Sequence, residues 1–319
     1  MESIDILKRA YRKYGVGAFN VFSAEQVTGV FEGAAAARAP VLVAITPAAR
    51  RYLYPWVLEG MIRGAARVYP DVEFAVHLDH GDFRHCLSCI DSGFYSSVMI
   101  DASHEDFETN IAMTREVVEQ AHPRGVAVEA ELGVVGGVED DISVSARRAR
   151  YTDPSRAGEF VERTGCDSLA VAVGTSHGAY KFEGAGTLEL EILEELGRKL
   201  PGFPLVLHGA SAVPGAEIER INAAGGRIPL HASGVPDDQI REAVQRGVCK
   251  VNIATDMRLI WARCHREFFR DNPGGFDLTI PGKGYIRDLA EFVAGKCSLL
   301  GSSGQVLHSP PGDAGKIDT

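Results

Sequence analysis

The chain has 319 residues, 45% of them hydrophobic and 24% charged, with a formal net charge of −10. That balance suits a globular chain with a large core and excludes a disordered one. The acidity argues against nucleic acid or an anionic membrane as the main partner. No apolar run approaches the roughly 20 residues that cross a bilayer. Acids at Glu2 and Asp5, then Lys8, Arg9, Arg12 and Lys13, leave no apolar centre for a secretion signal, so a cytoplasmic location is expected. Phosphorylated ligands stay open, because backbone N–H groups bind phosphate even in acidic proteins.

In chain order, apolar and β-branched runs alternate with helical spacing. Val16–Val21 precedes a helical stretch over Ala24–Ala39, and Pro40–Thr46 precedes one over Tyr52–Val68. Glu73–Leu78 leads into a helical segment from Phe83 to Ser92, Ser97–Ile100 into Asp106–Ala121, and Val126–Glu131 into Pro154–Thr164. Ser168–Val173 leads to Leu188–Leu200. Pro204–Leu207 and Val248–Ile253 flank a stretch, 212–247, that predicts two short helices around Gly225-Gly226. Eight strand–helix units in one chain predict an α/β fold, the (β/α)8 TIM barrel, as a single domain over 1–319. A doubly wound sheet is the rival, but no dinucleotide-type glycine fingerprint follows the first strand. The connection from Gly133 to Tyr151 lacks periodicity and reads as a mobile functional loop, and Gly301–Thr319 reads as a flexible tail.

Barrel strands deliver their carboxyl-end residues to one rim. There the chain places Asn20, Thr46, Asp79 and His80, Asp101, Glu131, His177, His208, Asn252 and Thr255. Each of His80, His177 and His208 ends an apolar run, and together they predict an open zinc site with a coordination position left for substrate. His77, two residues before Asp79, reads instead as a hydrogen-bonded core histidine. Asp101 and Glu131 also suit the carboxylates that orient metal-bound imidazoles. Gly209, Ala210 and Ser211 follow the seventh run; Asn252, Ile253, Ala254 and Thr255 follow the eighth and open a helix. Barrels often bind phosphate at that pair of loops, although turn glycines and helix caps use the same residues. The Cys86/Cys89 pair on its helical segment reads as reduced structural thiols.

These residues resemble the class II, zinc-dependent ketose-bisphosphate aldolase family. The matching elements run in order: Gly17-Ala18-Phe19-Asn20, His77-Leu78-Asp79-His80-Gly81, Met99-Ile100-Asp101, Val128–Gly133, Gly136-Gly137-Val138-Glu139-Asp140, Gly174–Lys181, His208–Ser211 and Lys250–Asp256. The resemblance implies catalytic Zn²⁺ on His80, His177 and His208, with Asp101 and Glu131 at a second divalent position. It implies that Asp79 handles the proton of the hydroxyl that becomes an aldehyde, and that Glu139 exchanges a proton with the enediolate carbon. Asn252 serves both catalysis and binding. Gly178, the Gly209–Ser211 loop and Asn252–Thr255 hold dihydroxyacetone phosphate, and Asn20 and Thr46 face the other half of the substrate. A monovalent cation (Na⁺ or K⁺) near the phosphate loops and a homodimer or homotetramer are also implied. The expected reaction is reversible cleavage of a ketose 1,6-bisphosphate, fructose before tagatose, into dihydroxyacetone phosphate and glyceraldehyde 3-phosphate.

The physical need is plain without the family. A carbon–carbon bond broken beside a ketone leaves a carbanion, which a Lewis acid stabilises, and two carboxyl groups suit the two proton transfers. A Schiff-base lysine at Lys250 would leave three histidines idle. A barrel hydrolase would need a His-x-His on the first strand, and a non-catalytic sugar-phosphate-binding subunit would not need this set together. Near the end, Gln305 takes a place where relatives carry a cation for the distal phosphate, so Arg50, Arg51, Lys283 and Arg287 are candidate substitutes.

Overall fold

In the computed structural model, the described residues are 2–139, 142–144, 150–177, 187–229 and 234–307, with the backbone alone described for 138, 139, 142–144 and 177. Eight parallel strands form the closed barrel: β1 (Val16–Asn20), β2 (Val41–Ile45), β3 (Phe74–Gly81), β4 (Ser97–Ile100), β5 (Ala127–Leu132), β6 (Ser168–Val171), β7 (Leu205–Leu207) and β8 (Val248–Ile253). Each pairs with its neighbour in sequence, and β8 closes on β1 with Ala18 opposite Asn252. The expected (β/α)8 barrel is the observed fold.

Side chains alternate across a strand, so each strand splits its residues between helices and barrel axis. Leu78, Val98, Ile100, Val128, Ala130, Val251 and Ile253 face outward into the main apolar core. Ala18, Leu42, Ala44 and Ala75 face the axis near the amino-terminal end, where a helix, Ser3–Ala10, buries Ile6, Leu7 and Ala10 against them. That face is plugged, and the carboxyl ends of the strands are left as the mouth.

Side-chain caps set several of the helix starts. Ser23, Asp82, Asp106 and Asp153 each cap a helix by accepting a backbone N–H. The helical stretch expected over Tyr52–Val68 is instead a short helix, Pro47–Tyr52, and a second, Pro55–Val68. Pro55 disfavours helical backbone at Tyr54 and suits the first turn that follows. The two helices expected between the last strands are Gly215–Ala223 and Asp237–Gln245.

Three further differences bear on the site. The 133–152 connection contains a hairpin, Gly136–Glu139 against Ile142–Val144; its first strand also pairs with Ser176–His177. Val134 and Arg150 bridge its base. The final helix, Thr279–Leu299, was not among the expected elements, and Pro281, Gly282 and Gly284 at its start argue locally against one. Proline is tolerated there, where its missing N–H has no helical partner.

Residues 301–307, expected as tail, run along the amino-terminal end of the barrel. Gly304 N–H donates to Ala37 O (3.0 Å), Val306 N–H to Arg38 O (3.3 Å) and Leu307 N–H to Glu73 Oε2 (3.1 Å). Gln305 is therefore exposed at the end opposite the mouth and holds no phosphate position in its own barrel. The rest of the expected tail, 308–319, lies outside the described residues.

The Thr279–Leu299 helix packs closely on Ala24–Ala37 because Gly33 has no side chain. A Cβ there would stand 2.5 Å from Ala290 O and 2.7 Å from Val293 Cβ. Gly60, on the exposed face of the Pro55–Val68 helix, has nothing within 4 Å of the same atom. Gly33→Ala is expected to destabilise by about 1–3 kcal/mol. Gly60→Ala is expected to stabilise by about 0.5–1 kcal/mol. Urea denaturation of the two variants checks the opposite signs.

Candidate active site

β3 brings two adjacent residues to the mouth by breaking its own alternation. Leu78 pairs with Val98 but Gly81 with Ile100, so β3 carries one residue more than β4 across that step. The extra residue is accommodated by His80, whose φ is +49°, a left-handed conformation uncommon outside glycine. A Cβ at Gly81 would meet Leu78 Cδ2 at 2.5 Å and Met99 O at 3.0 Å, so the turn of the chain there is tightly packed.

Asp79 is 3% exposed and held from both sides of the barrel seam. Asn20 Nδ2 donates to its Oδ2 (2.7 Å), and Asn252 Nδ2 donates to its Oδ1 (2.8 Å). Burial raises its pKa, but His80, His208 and Lys250 outweigh that and hold it below the ordinary carboxylate range. His80 Nδ1 lies 2.8 Å from Asp101 Oδ2, and Asp101 Oδ1 accepts from the Ser103 hydroxyl (2.8 Å). Burial lowers His80, yet Asp79, Asp101 and Glu131 together raise it to about 10. His208 is lowered to about 4 by burial and by His80. Burial and Asp101 push Glu131 up to about 8.

Two sets of donor atoms, each within 4.8 Å of one another, share His80: Asp79, His80 and His208, and His80, Asp101 and Glu131. The rings of His80 and His208 meet edge to face, centroids 4.5 Å apart. Glu131 Oε2 is buried with no hydrogen-bond partner among the described residues. Imidazole and carboxylate donors at this spacing fit a divalent cation, and a buried acceptor without a donor fits one better still. Asn20 Oδ1 and Asn252 Oδ1 are likewise buried acceptors without partners among the described residues. They suit donation from a bound hydroxyl.

The expected third imidazole, His177, is described by its backbone. It sits in the small sheet with Gly137 as its paired neighbour, on the strand that ends at Glu139. The sheet thus links the backbones of the two segments expected to carry a ligand and a proton donor. Gly178 lies outside the described residues. Thr46 is buried and its hydroxyl accepts from Ala49 N–H (3.2 Å), capping the helix that follows β2.

The two expected phosphate loops are tied together. Gly209 has φ +63°, and a Cβ there would lie 2.6 Å from Ser176 O. Asp256, in the first turn of the Thr255–Asp271 helix, accepts from Ala212 N–H (3.0 Å) and Val213 N–H (2.8 Å). Gly209, Ala210 and Ser211 are thereby fixed beside the helix start formed by Ile253, Ala254 and Thr255.

Beneath the mouth lies a charged layer that sequence reasoning missed. Lys250 is fully buried, and its Nζ reaches both Glu129 oxygens (2.9 and 2.7 Å) and His77 Nε2 (2.9 Å). The signal was the two-residue period: Glu129, Lys250 and His77 precede Glu131, Asn252 and Asp79 by two and share their inward face. Paired in this way, Lys250 is not a Schiff-base nucleophile. His77 is the bonded core histidine that was expected.

Arg258 was also missed. It lines a cleft of about 360 Å³ with Phe22, Ser23, Gln26, Tyr52 and Trp261, its guanidinium 5.1 Å from the Phe22 ring centroid. It stands one turn after Thr255, a spacing that could have flagged it. Of the four cations named from sequence, Arg50 bonds Cys89 Sγ and Ser88 Oγ, and Arg287 pairs with Asp288. Cys86 and Cys89 are buried and free; burial pushes Cys89 up to about 12 despite the nearby Arg50, as suits an inert thiol.

The profile of the family described as fructose-bisphosphate aldolase class-II matches residues 1–305. A fructose-bisphosphate aldolase of Thermus caldophilus is 43% identical over 307 residues, covering 95% of this chain and 98% of its own. One from Giardia intestinalis is 42% identical over 297 residues, covering 92% and 90%. The crystal structure of the YdjI aldolase from Escherichia coli K12 superposes with a TM-score of 0.76 at 30% identity, covering 95% of this chain and 98% of its own. The chain belongs to the class II fructose-bisphosphate aldolase family, whose members are metal-dependent lyases. No helix among the described residues is long and apolar enough to cross a membrane.

Proposed function

We propose that the protein is a zinc-dependent aldolase that reversibly cleaves fructose 1,6-bisphosphate into dihydroxyacetone phosphate and glyceraldehyde 3-phosphate. The observation that carries this reading is Asp79, clamped by Asn20 and Asn252 within the donor set of His80 and His208. Bound by His80, His208 and the imidazole of His177, zinc would supply a Lewis acid, worth several kcal/mol of stabilisation for the negative charge left when the carbon–carbon bond breaks. Asp101 and Glu131 offer a second divalent position around His80.

Asp79 accepts the proton of the hydroxyl that becomes the aldehyde. The two amides aim the carboxylate, and its depressed pKa keeps it ionised for that task. Glu139 returns a proton to the carbon of the dihydroxyacetone phosphate half. Asn20 and Asn252 offer acceptors to substrate hydroxyls, and Thr46 borders the aldehyde half. The proximal phosphate rests on backbone N–H groups of Gly178, Gly209–Ser211 and Ile253–Thr255, with a monovalent cation alongside. Arg258 in its cleft takes the distal phosphate in place of Gln305. The assembly is a homodimer or homotetramer, and the location cytoplasmic.

Chelator treatment is expected to abolish triose-phosphate release, and zinc or cobalt to restore it. Asp79→Ala is expected to lose turnover on the order of 10²–10⁴-fold with zinc still bound. Zinc analysis of that variant checks the assignment: loss of the metal would make Asp79 a ligand instead. A substrate panel with both the fructose and tagatose epimers fixes the stereochemistry. Arg258→Ala is expected to raise KM for the bisphosphate at least 10-fold and leave KM for the 1-monophosphate within about twofold. Equal changes for the two substrates would remove Arg258 from the distal site.

A further inference from the structure

We propose that the buried Lys250–Glu129 pair is a tautomer lock for His208, fixing which ring nitrogen faces the donor cluster and making both residues positioning residues for metal uptake. An ammonium has three N–H donors and no acceptor, and a carboxylate only accepts. Lys250 Nζ meets three acceptors within 2.9 Å: the two Glu129 oxygens and His77 Nε2. His77 Nε2 must therefore be bare, with its proton on Nδ1, which donates to Ser97 Oγ at 2.8 Å.

The same logic fixes His208. Its Nε2 lies 2.8 Å from Glu129 Oε1, which can only accept, so the ring proton is on Nε2. Nδ1 then carries the lone pair of the neutral ring. It points toward Asp79, 3.9 Å from Oδ1, on the side where His80 and Asp79 complete the donor set. The ring is 1% exposed, so bulk water does not compete with Glu129 for Nε2.

A neutral residue at 129 would not enforce that choice. A glutamine amide can turn its NH2 toward His208 Nε2, move the ring proton to Nδ1 and cancel the lone pair where a metal needs it. A buried ion pair is commonly no more stabilising than apolar residues of the same volume. What the pair adds here is specificity: Lys250 keeps Glu129 ionised and fully bonded, and Glu129 keeps His208 in one tautomer.

The inference rests on the zinc reading above, and its test separates the two. Full-length protein, Glu129→Gln and the uncharged double variant Lys250→Met/Glu129→Gln would be compared by zinc competition against a chelator. Nitrogen NMR of histidine-labelled, metal-stripped protein would read the tautomers, and thermal melts would establish folding. Zinc affinity is expected to fall about 10–100-fold in the variants. His208 is expected to be the Nε2–H tautomer in the wild type and a mixture or the Nδ1–H form in the variants. If Glu129→Gln does not fold, the double variant, with no charge left in that layer, decides. Folded variants that bind zinc within twofold of wild type would overturn the proposal. So would a wild-type His208 protonated on Nδ1, which needs no variant. A wild type that binds no zinc while showing the Nε2–H tautomer would overturn the zinc reading and leave the lock standing.

Discussion

Closure of β8 onto β1 is the constraint on which the site depends. It sets Ala18 beside Asn252 and so brings residues from the two ends of the chain to the same height at the mouth. From there Asn20 and Asn252 both reach Asp79 on β3. Because strand side chains alternate with a period of two, a slip of one residue on β1 would replace Asn20 by an outward-facing apolar neighbour. The outward apolar set of Phe19, Leu78, Ile100, Val128, Val251 and Ile253, buried against the helices, opposes such a slip on β1, β3, β4, β5 and β8. The packing that stabilises the barrel thus also fixes the polar residues at its axis.

On that frame the axis is built in two polar layers. The lower one, His77, Glu129 and Lys250, is internally paired; the upper one, Asp79, Asp101 and Glu131 around His80 and His208, carries an excess of carboxylates. Negative charge concentrated in a buried mouth favours a cation; it raises the pKa of His80 and, after burial itself, that of Glu131. The bulge at His80 completes the upper layer. A non-glycine residue in the left-handed region costs on the order of 1–3 kcal/mol, and it persists where surrounding bonds determine it. Here the His80–Asp101 contact and the bond from Asp101 N–H to Gly81 O (3.0 Å) fulfil that role.

Much of this was legible because apolar runs ending in polar residues are direct consequences of parallel strands buried on both faces. The strand ends named Asn20, Asp79, His80, Asp101, Glu131, His208 and Asn252 without any coordinates. What escaped were features that depend on distant partners. Lys250 and Glu129 sit mid-strand on β8 and β5, and charges there read as anomalies until barrel closure pairs them. The Thr279–Leu299 helix carries proline and glycines that argue locally against it; only its seat on Gly33 explains it. Gln305 was misplaced because a segment's place along the chain does not say which end of the barrel it crosses. Arg258 was passed over because a helical arginine looks like any surface charge until the cleft beside Phe22 and Trp261 is seen.

The central proposal is that a divalent cation is held at the mouth by His80 and His208, with His177 as the third imidazole and no contribution from the cysteines. Anomalous scattering at the zinc edge from zinc-loaded crystals tests it most directly. The account predicts one dominant peak between the His80 and His208 rings, with nitrogen and oxygen ligands at about 2.0–2.2 Å. A dominant peak elsewhere, or sulfur ligands at about 2.3 Å from Cys86 or Cys89, would contradict it.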